Sequence, residues 1–304
     1  MSSQILVTSL IADALALGAH WIYSQREIAG KFGHVTGYAA PATSYHPGKQ
    51  AGDFTHYGDQ TMVLLRSLAA HGGFGLAEFA RDWRGFWGNP ATAAYRDGAT
   101  KATLENLRAG RPPEMAASLS NDIAGAARVA PLFLLKWEST DALLAAARAQ
   151  TAFTHGDPAV VEAAEFFARV TLAVQAGTAI PAALRSVAAL PHWKDIPADW
   201  FNAASNSSAS AESDSGAVKT HGLTCHIPEA FPAICHLLLR HPDDVVTALT
   251  VNVEAGGDSA ARGMIMGMIY GARPNSAPLP ADWLTGLRAR DEIEQLTHRI
   301  TSHV

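Results

Sequence analysis

Apolar residues in this chain recur at spacings of three and four, segment after segment, and nowhere settle into the alternation of a half-buried strand. Ile5, Ser9, Ala12, Ala16 and Ala19 trace one helix face near the N-terminus, with Leu6, Leu10 and Leu17 beside it. The same period predicts helices over 60–71, 76–87, 95–108, 125–137, 140–151, 158–176 and 180–189. It continues over 229–240, 243–253, 259–271 and 281–302. No glycine-rich phosphate loop follows a strand, and no repeat of fixed period runs through the sequence. The fold class read from this is all-α. No linker separates two blocks that would each fold alone, so a single domain is expected over residues 1–304.

Two stretches interrupt the helical pattern. Residues 22–54 are rich in Gly, Pro, Tyr and His and read as one long ordered loop, a length that in a folded domain points to function. Residues 202–219 are rich in Ser and Ala and read as a mobile loop, either a lid or a disordered segment. A net charge of -5 and the absence of any Lys/Arg block argue against a nucleic-acid partner, because phosphate binding needs a basic face. Two cysteines are too few for a secreted disulfide scaffold, and a reducing, cytoplasmic setting is expected. The pairs Cys225-His226 and Cys235-His236 match no usual zinc spacing and read as core cysteines. The apolar run 5–17 resembles a signal-peptide core, but it contains Asp13 and no basic residue precedes it, so it reads as a buried helix. No stretch reaches the roughly 18 uninterrupted apolar residues of a membrane span, so no membrane partner is expected.

Three carboxylates stand out. Asp13 lies in the middle of an apolar helix, where a carboxylate is costly unless it is paired, hydrogen-bonded or metal-bound. Asp59, in Gly58-Asp59-Gln60-Thr61-Met62, and Asp258, in Gly256-Gly257-Asp258-Ser259, each stand where a helix begins and read individually as N-caps. Two such acidic positions after glycine-containing loops, about 200 residues apart, are also expected to converge on one polar cleft. Gly263, Gly267 and Gly271 recur every four residues after Asp258 and predict a helix packed closely on its neighbours.

Four segments together resemble the ADP-ribosylglycohydrolase family. Ile11-Ala12-Asp13-Ala14-Leu15-Ala16-Leu17-Gly18 is similar to its opening Gly-Asp-Ala-x-Gly helix. Tyr57-Gly58-Asp59-Gln60-Thr61-Met62 is similar to its Thr-Asp-Asp-Thr-x-Met segment. Asn121 to Leu132, with Arg128-Val129-Ala130-Pro131, resembles its Asn-Gly-x-x-Met-Arg-x-x-Pro segment. Gly256-Gly257-Asp258-Ser259-Ala260-Ala261 resembles its Gly-Gly-Asp-Thr-Asp-Thr segment. The resemblance implies a compact, orthogonally packed helical domain, a cleft with two magnesium or manganese ions, and hydrolysis of an N- or O-glycosidic bond to ribose.

The departures are as informative. Tyr57 and Gly58 replace the family's Thr and first Asp, and Ala260 and Ala261 replace its second Asp and Thr. With Ala12-Asp13-Ala14 leading to His20-Trp21-Ile22-Tyr23, the altered form resembles the J1-crystallin branch. A two-metal cleft is therefore not expected. At most one Mg²⁺ or Mn²⁺ would be held, by Asp59, Asp258 and Ser259. Asp59, Asp258 and Asp13 are the expected catalytic groups. His20, Trp21, Tyr23, His56, Tyr57, Asp122 and His155 are expected to orient substrate or donate a proton, with Trp21, Tyr23 and Tyr45 stacking on a heterocycle. The expected activity is hydrolysis of a small ribosylated or ADP-ribosylated compound. The alternatives are an inactive ligand-binding or crystallin-like protein of the same fold, and a metal-independent hydrolase of another class. The sequence leaves the oligomeric state open.

Overall fold

The computed structural model describes residues 2–274 and 278–302. Sixteen α-helices account for most of these residues: α1 Ser2–Ala16, α2 Gln25–Phe32, α3 His56–His71, α4 Leu76–Trp87, α5 Gly98–Arg108, α6 Ala124–Ala127, α7 Thr140–Ala152 and α8 Pro158–Gln175. They continue with α9 Ile180–Ala188, α10 Ala198–Ser208, α11 Asp214–His221, α12 Ile227–Arg240, α13 Val245–Ala255, α14 Ser259–Gly271, α15 Ala281–Thr285 and α16 Arg290–Ser302. Among the described residues there is no strand, only two isolated bridges, Ser118 with His155 and Asp122 with His226. The all-α expectation holds.

Four of the expected elements differ. The helix read over 125–137 is α6 followed by a separate 3-10 turn, Ala130–Leu134. Pro131 supplies no N–H and disfavours helical backbone at the residue before it. The helix read over 281–302 breaks at Gly286, where the next segment crosses residue 52 and Arg288 N–H donates to Gly52 C=O. Residues 22–54 carry a short helix, α2, started by the Ser24 side chain. The mobile loop expected over 202–219 is overturned. It is the end of α10 and most of α11, anchored by buried Ala204, Ala217 and Val218. The Arg240 guanidinium donates to the carbonyls of Ser208, Ser210 and Glu212, so the turn between these helices has its acceptors satisfied by protein.

The centre of the molecule is the pair α1 and α14, which run antiparallel. Gly271 lies on the backbone of Gln4 and Ile5, Gly267 on that of Thr8 and Ser9, and Gly263 on that of Ala12. A Cβ at Gly267 would stand 2.5 Å from Thr8 O and 2.9 Å from Ser9 Cα, which no packed side chain tolerates. The four-residue glycine spacing thus matches the four-residue rise of the facing helix. Because the pair is antiparallel, the chain leaving α1 and the chain entering α14 meet at the same end. None of the described helices is long and apolar enough to cross a membrane. Cys225 and Cys235 are both free thiols.

Candidate active site

At that shared end, Trp21 N–H donates to Gly257 C=O (3.0 Å) and Gly257 N–H donates to Ile22 C=O (2.8 Å). Gly256 and Gly257 both have left-handed backbone, with φ of 85° and 69°. A side chain on Gly256 would strike Ile22 O at 2.7 Å, and one on Gly257 would strike Leu223 O. The Arg262 guanidinium donates to Gly256 C=O (2.7 Å) and holds the turn from the other side. Trp21 itself has φ of 64°, a conformation that a bulky residue adopts only where its surroundings impose it.

This turn delivers Asp258, buried at 1% exposure. Its backbone N–H donates to Leu223 C=O (2.8 Å). Asp258 sits at the N-cap position of α14, but its side chain makes no capping bond, contrary to the N-cap expectation. Its Oδ2 instead accepts from Trp21 Nε1 (2.9 Å) and from the Tyr57 hydroxyl (2.7 Å). Its Oδ1 is buried with no hydrogen-bond partner among the described residues.

Tyr57 comes from the first turn of α3. The cap of that helix is Thr55, whose Oγ1 accepts from Tyr57 N–H (3.1 Å). Asp59 is therefore not the cap that the sequence suggested. Its carboxylate lies one turn further on and takes the Lys49 ammonium at 2.8 Å on both oxygens. Thr55 in turn donates its N–H (2.8 Å) and its hydroxyl (2.5 Å) to Asp13, which is the way the apolar helix tolerates that carboxylate. Gly58 has to lack a side chain because Asp13 Oδ2 and Phe54 occupy the space a Cβ would need.

Asp122 arrives from a third direction. Ile123 N–H donates to Cys225 C=O (2.9 Å) and Ile227 N–H to Asn121 C=O (3.0 Å), so residues 121–123 lie against 225–227. Asp122 Oδ2 is 3.3 Å from the Tyr57 hydroxyl. Since that hydroxyl is 2.7 Å from Asp258 Oδ2, the two carboxyl oxygens are at most about 6 Å apart. One phenolic proton serves one carboxylate. With Tyr57 donating to Asp258, Asp122 meets the phenol oxygen favourably only by carrying a proton of its own. The environment agrees. Burial, then the charges of Asp258 and Asp97, push Asp122 well above the usual carboxylate range. Burial also raises Asp258, but the bonds from Tyr57 and Trp21 and the Arg262 charge work against that rise. The pair thus reads as an acid, Asp122, beside an anion, Asp258.

Rings line the rest. His20 stacks on Trp21 with centroids 4.4 Å apart, and His56 lies 3.8 Å from Tyr57. Trp21 meets Tyr45 and Tyr95 edge-on at 4.7 and 5.1 Å. The structure therefore brings together Asp258, Asp122, Tyr57, Trp21, His20 and His56 of the expected residues. Ser259 is adjacent, its hydroxyl buried with no hydrogen-bond partner among the described residues. Tyr23 is half-exposed, and burial and the Asp258 charge raise its phenol to about 12. Asp13 stands behind the site, reached through Thr55. His155 joins a separate buried network, its Nδ1 2.8 Å from Thr154 Oγ1, which also accepts from Arg128. Asp59 shares no hydrogen-bond partner with Asp258, and the charges that act most on it are those of Lys49, Arg66 and Asp53. His46, Tyr95 and Asp97 are in the site and had not been singled out. His46 follows Tyr45 in the 22–54 segment, and Asp97 is the cap of α5, so neither carries a signal beyond its residue type.

Burial raises Asp13 from 3.8 to about 7, against the bonds from Thr55. Between those values the folded state holds a proton that the unfolded chain has released. Stability from this group is therefore full below 3.8 and is lost as pH rises towards 7, by up to about 1.4 kcal/mol per pH unit. Asp13→Asn lacks this titration. The difference in unfolding free energy, native minus variant, is expected to fall over that window in chemical denaturation, and a difference independent of pH would refute it.

The donor set does not fit the family's magnesium or manganese pair. Gly58, Ala260 and Ala261 offer no side-chain oxygen, both Asp59 oxygens are held by Lys49, and Asp258 Oδ2 already takes two donors. Such ions want about six oxygens, more than these residues leave free.

Comparison with known proteins identifies the family. A family model described as ADP-ribosylglycohydrolase matches residues 4–304. Two proteins of Tripedalia cystophora are similar: Crystallin J1A, 22% identical over 97% of this chain and 94% of its own length, and Crystallin J1B, 23% identical over 95% and 92%. A solved structure titled "ADP-ribosylglycohydrolase-related protein complex" superposes with a TM-score of 0.74 at 21% identity, covering 99% of this chain and 97% of that one.

Proposed function

From the premise that this chain belongs to the ADP-ribosylglycohydrolase family, a family of hydrolase type, we propose that it cleaves the glycosidic bond to ribose in an ADP-ribosyl or small N-ribosyl compound, using protein carboxyl groups. The observation that carries this reading is the pair Asp122 and Asp258 joined through one tyrosine hydroxyl. Glycosidic cleavage needs an acid for the leaving group and an anion near the ribosyl carbon as it becomes oxocarbenium-like. Asp122 is the acid and protonates the leaving atom. Asp258 is the anion, stabilises the developing charge and takes a proton from the incoming water. Tyr57 touches both and returns the proton from Asp258 to Asp122 by passing on its own. Trp21, Tyr45 and Tyr95 offer ring faces and edges to a base or other heterocycle. Tyr45 and Tyr95 meet edge-on with centroids 5.9 Å apart.

A second reading is favoured by the loss of ligand positions at Gly58, Ala260 and Ala261 and by the crystallin relatives: the fold is kept and turnover is lost. One experiment separates the two. Purified protein is incubated with an ADP-ribosylated peptide and with a panel of simple N-ribosides, with and without added magnesium, and release of ADP-ribose or ribose is followed chromatographically. Release that does not depend on added magnesium is the expected result. No release from any compound would leave the binding or structural reading.

A further inference from the structure

His20, His46 and His56 come from three parts of the chain: the turn after α1, the loop between α2 and α3, and the first residue of α3. All three are buried, at 0%, 2% and 0% exposure. Their rings form a nearly equilateral triangle, with centroids 5.5, 5.6 and 6.0 Å apart. One ring nitrogen from each lies within 4.8 Å of the other two. Both nitrogens of His20, both of His56 and Nε2 of His46 have no hydrogen-bond partner among the described residues. Buried polar atoms are normally paired, and three buried rings that each bring one nitrogen to the same small volume call for a group that accepts one lone pair from each.

We propose that His20, His46 and His56 bind one borderline transition-metal ion of the zinc class, leaving a further coordination position for water or a small ligand. Three imidazoles with no carboxylate among the closest atoms are a nitrogen site, suited to zinc, cobalt, nickel or copper and unsuited to magnesium. Three histidines with one open position are the arrangement of reactive rather than purely structural zinc sites. A supporting group is also present. Asp97 Oδ2 is buried, otherwise unpartnered and 3.5 Å from His56 Nε2, close enough to take that N–H when the other ring nitrogen binds an ion. Tetrahedral ligands 2.0–2.1 Å from zinc stand about 3.3 Å from one another, so the triangle contracts when an ion enters. The site is distinct from the carboxylate shell of the family, since it uses none of Asp59, Asp258 or Ser259.

The test uses the whole chain, stripped with a chelator and dialysed. Titration with Co²⁺ is followed by visible absorption, and Zn²⁺ by competition and by metal analysis. One ion per chain, with the intense visible band of a four- or five-coordinate cobalt site that Zn²⁺ abolishes, is the expected result. His46→Gln lies in a loop and keeps the side-chain volume. It should retain the native circular dichroism spectrum, abolish the band and weaken Zn²⁺ binding at least about 10-fold. His34→Ala, which alters a largely exposed ring at another face, should change neither. No cobalt band, or Zn²⁺ binding equal in native protein and the His46→Gln variant, overturns the proposal. Should His46→Gln not fold, the native cobalt spectrum decides alone. Metal bound without cleavage of any ribosyl compound would refute the glycosidase reading and leave this one standing.

Discussion

Asp258→Asn is expected to lower turnover of a ribosyl substrate by about 10³-fold or more while the protein still folds. Acid–base groups of this kind contribute about 10²- to 10⁴-fold, and Asp258 combines that role with electrostatic stabilisation of the transition state. The asparagine keeps the shape, and its carbonyl oxygen can still accept from Trp21 Nε1 and the Tyr57 hydroxyl. What is lost is the negative charge beside the ribosyl carbon and the acceptor for the proton of water. Stability should change little, because an uncompensated part of the carboxylate's burial is removed together with its charge. The measurement is kcat and KM, alongside thermal unfolding. A variant that retains more than about a tenth of native kcat would show that the reaction centre lies elsewhere.

Gly267→Leu is expected to destabilise the protein by about 3 kcal/mol or more, among the largest effects open to a single apolar substitution. Even the first carbon of the new side chain would stand 2.5 Å from Thr8 O and 2.9 Å from Ser9 Cα, and both are backbone atoms of α1. Backbone cannot rotate away as a side chain can, so α1 and α14 have to separate. Separation exposes the apolar residues that flank the stripe, including Leu10, Met264 and Met268. The denaturation midpoint should fall well below that of the native protein. A substitution on an open glycine gives the contrast: a Cβ at Gly85 in α4 would meet nothing within 4 Å, and Gly85→Ala should hold or slightly raise the midpoint, because alanine suits a helix better than glycine. Equal midpoints for Gly267→Leu and the native chain would mean that the two helices do not pack as described.

The parts legible in the sequence were those whose physics is local. Helical period, the glycine spacing on α14 and the Gly-Gly turn before Asp258 follow from neighbouring residues, and the structure has them in place. The parts that were not legible depend on side chains arriving from elsewhere. Asp59 looked like a cap because it follows a glycine and precedes an apolar run, yet Thr55, four residues earlier, fits the cap better and Lys49 claims the carboxylate. Residues 202–219 looked like a loop by composition. Arg240, some 30 residues away, takes the carbonyls of the turn between two helices that the composition hid. Asp122 is one of several groups that the sequence offers to orient substrate or donate a proton, and only its approach to Tyr57 from a third direction pairs it with Asp258. His46 had no local signature at all. Its place in the triangle is set by the path of the chain between α2 and α3.

The candidate site is drawn from seven separated segments: the end of α1 through Ile22, Tyr45 and His46, the loop and first turn around Tyr57, Tyr95 to Asp97, the stretch at Asp122, the stretch at Leu223 to Ile227, and the turn at Asp258. No contiguous fragment that starts after Tyr57 or stops before Asp258 contains the acid, the anion and the tyrosine between them. During synthesis, the carboxyl pair therefore cannot assemble until the turn at Asp258 has emerged and docked on Trp21, 237 residues before it in the chain. A single cut that frees the segment bearing Asp258 would take this pair apart even if the earlier helices kept their shape.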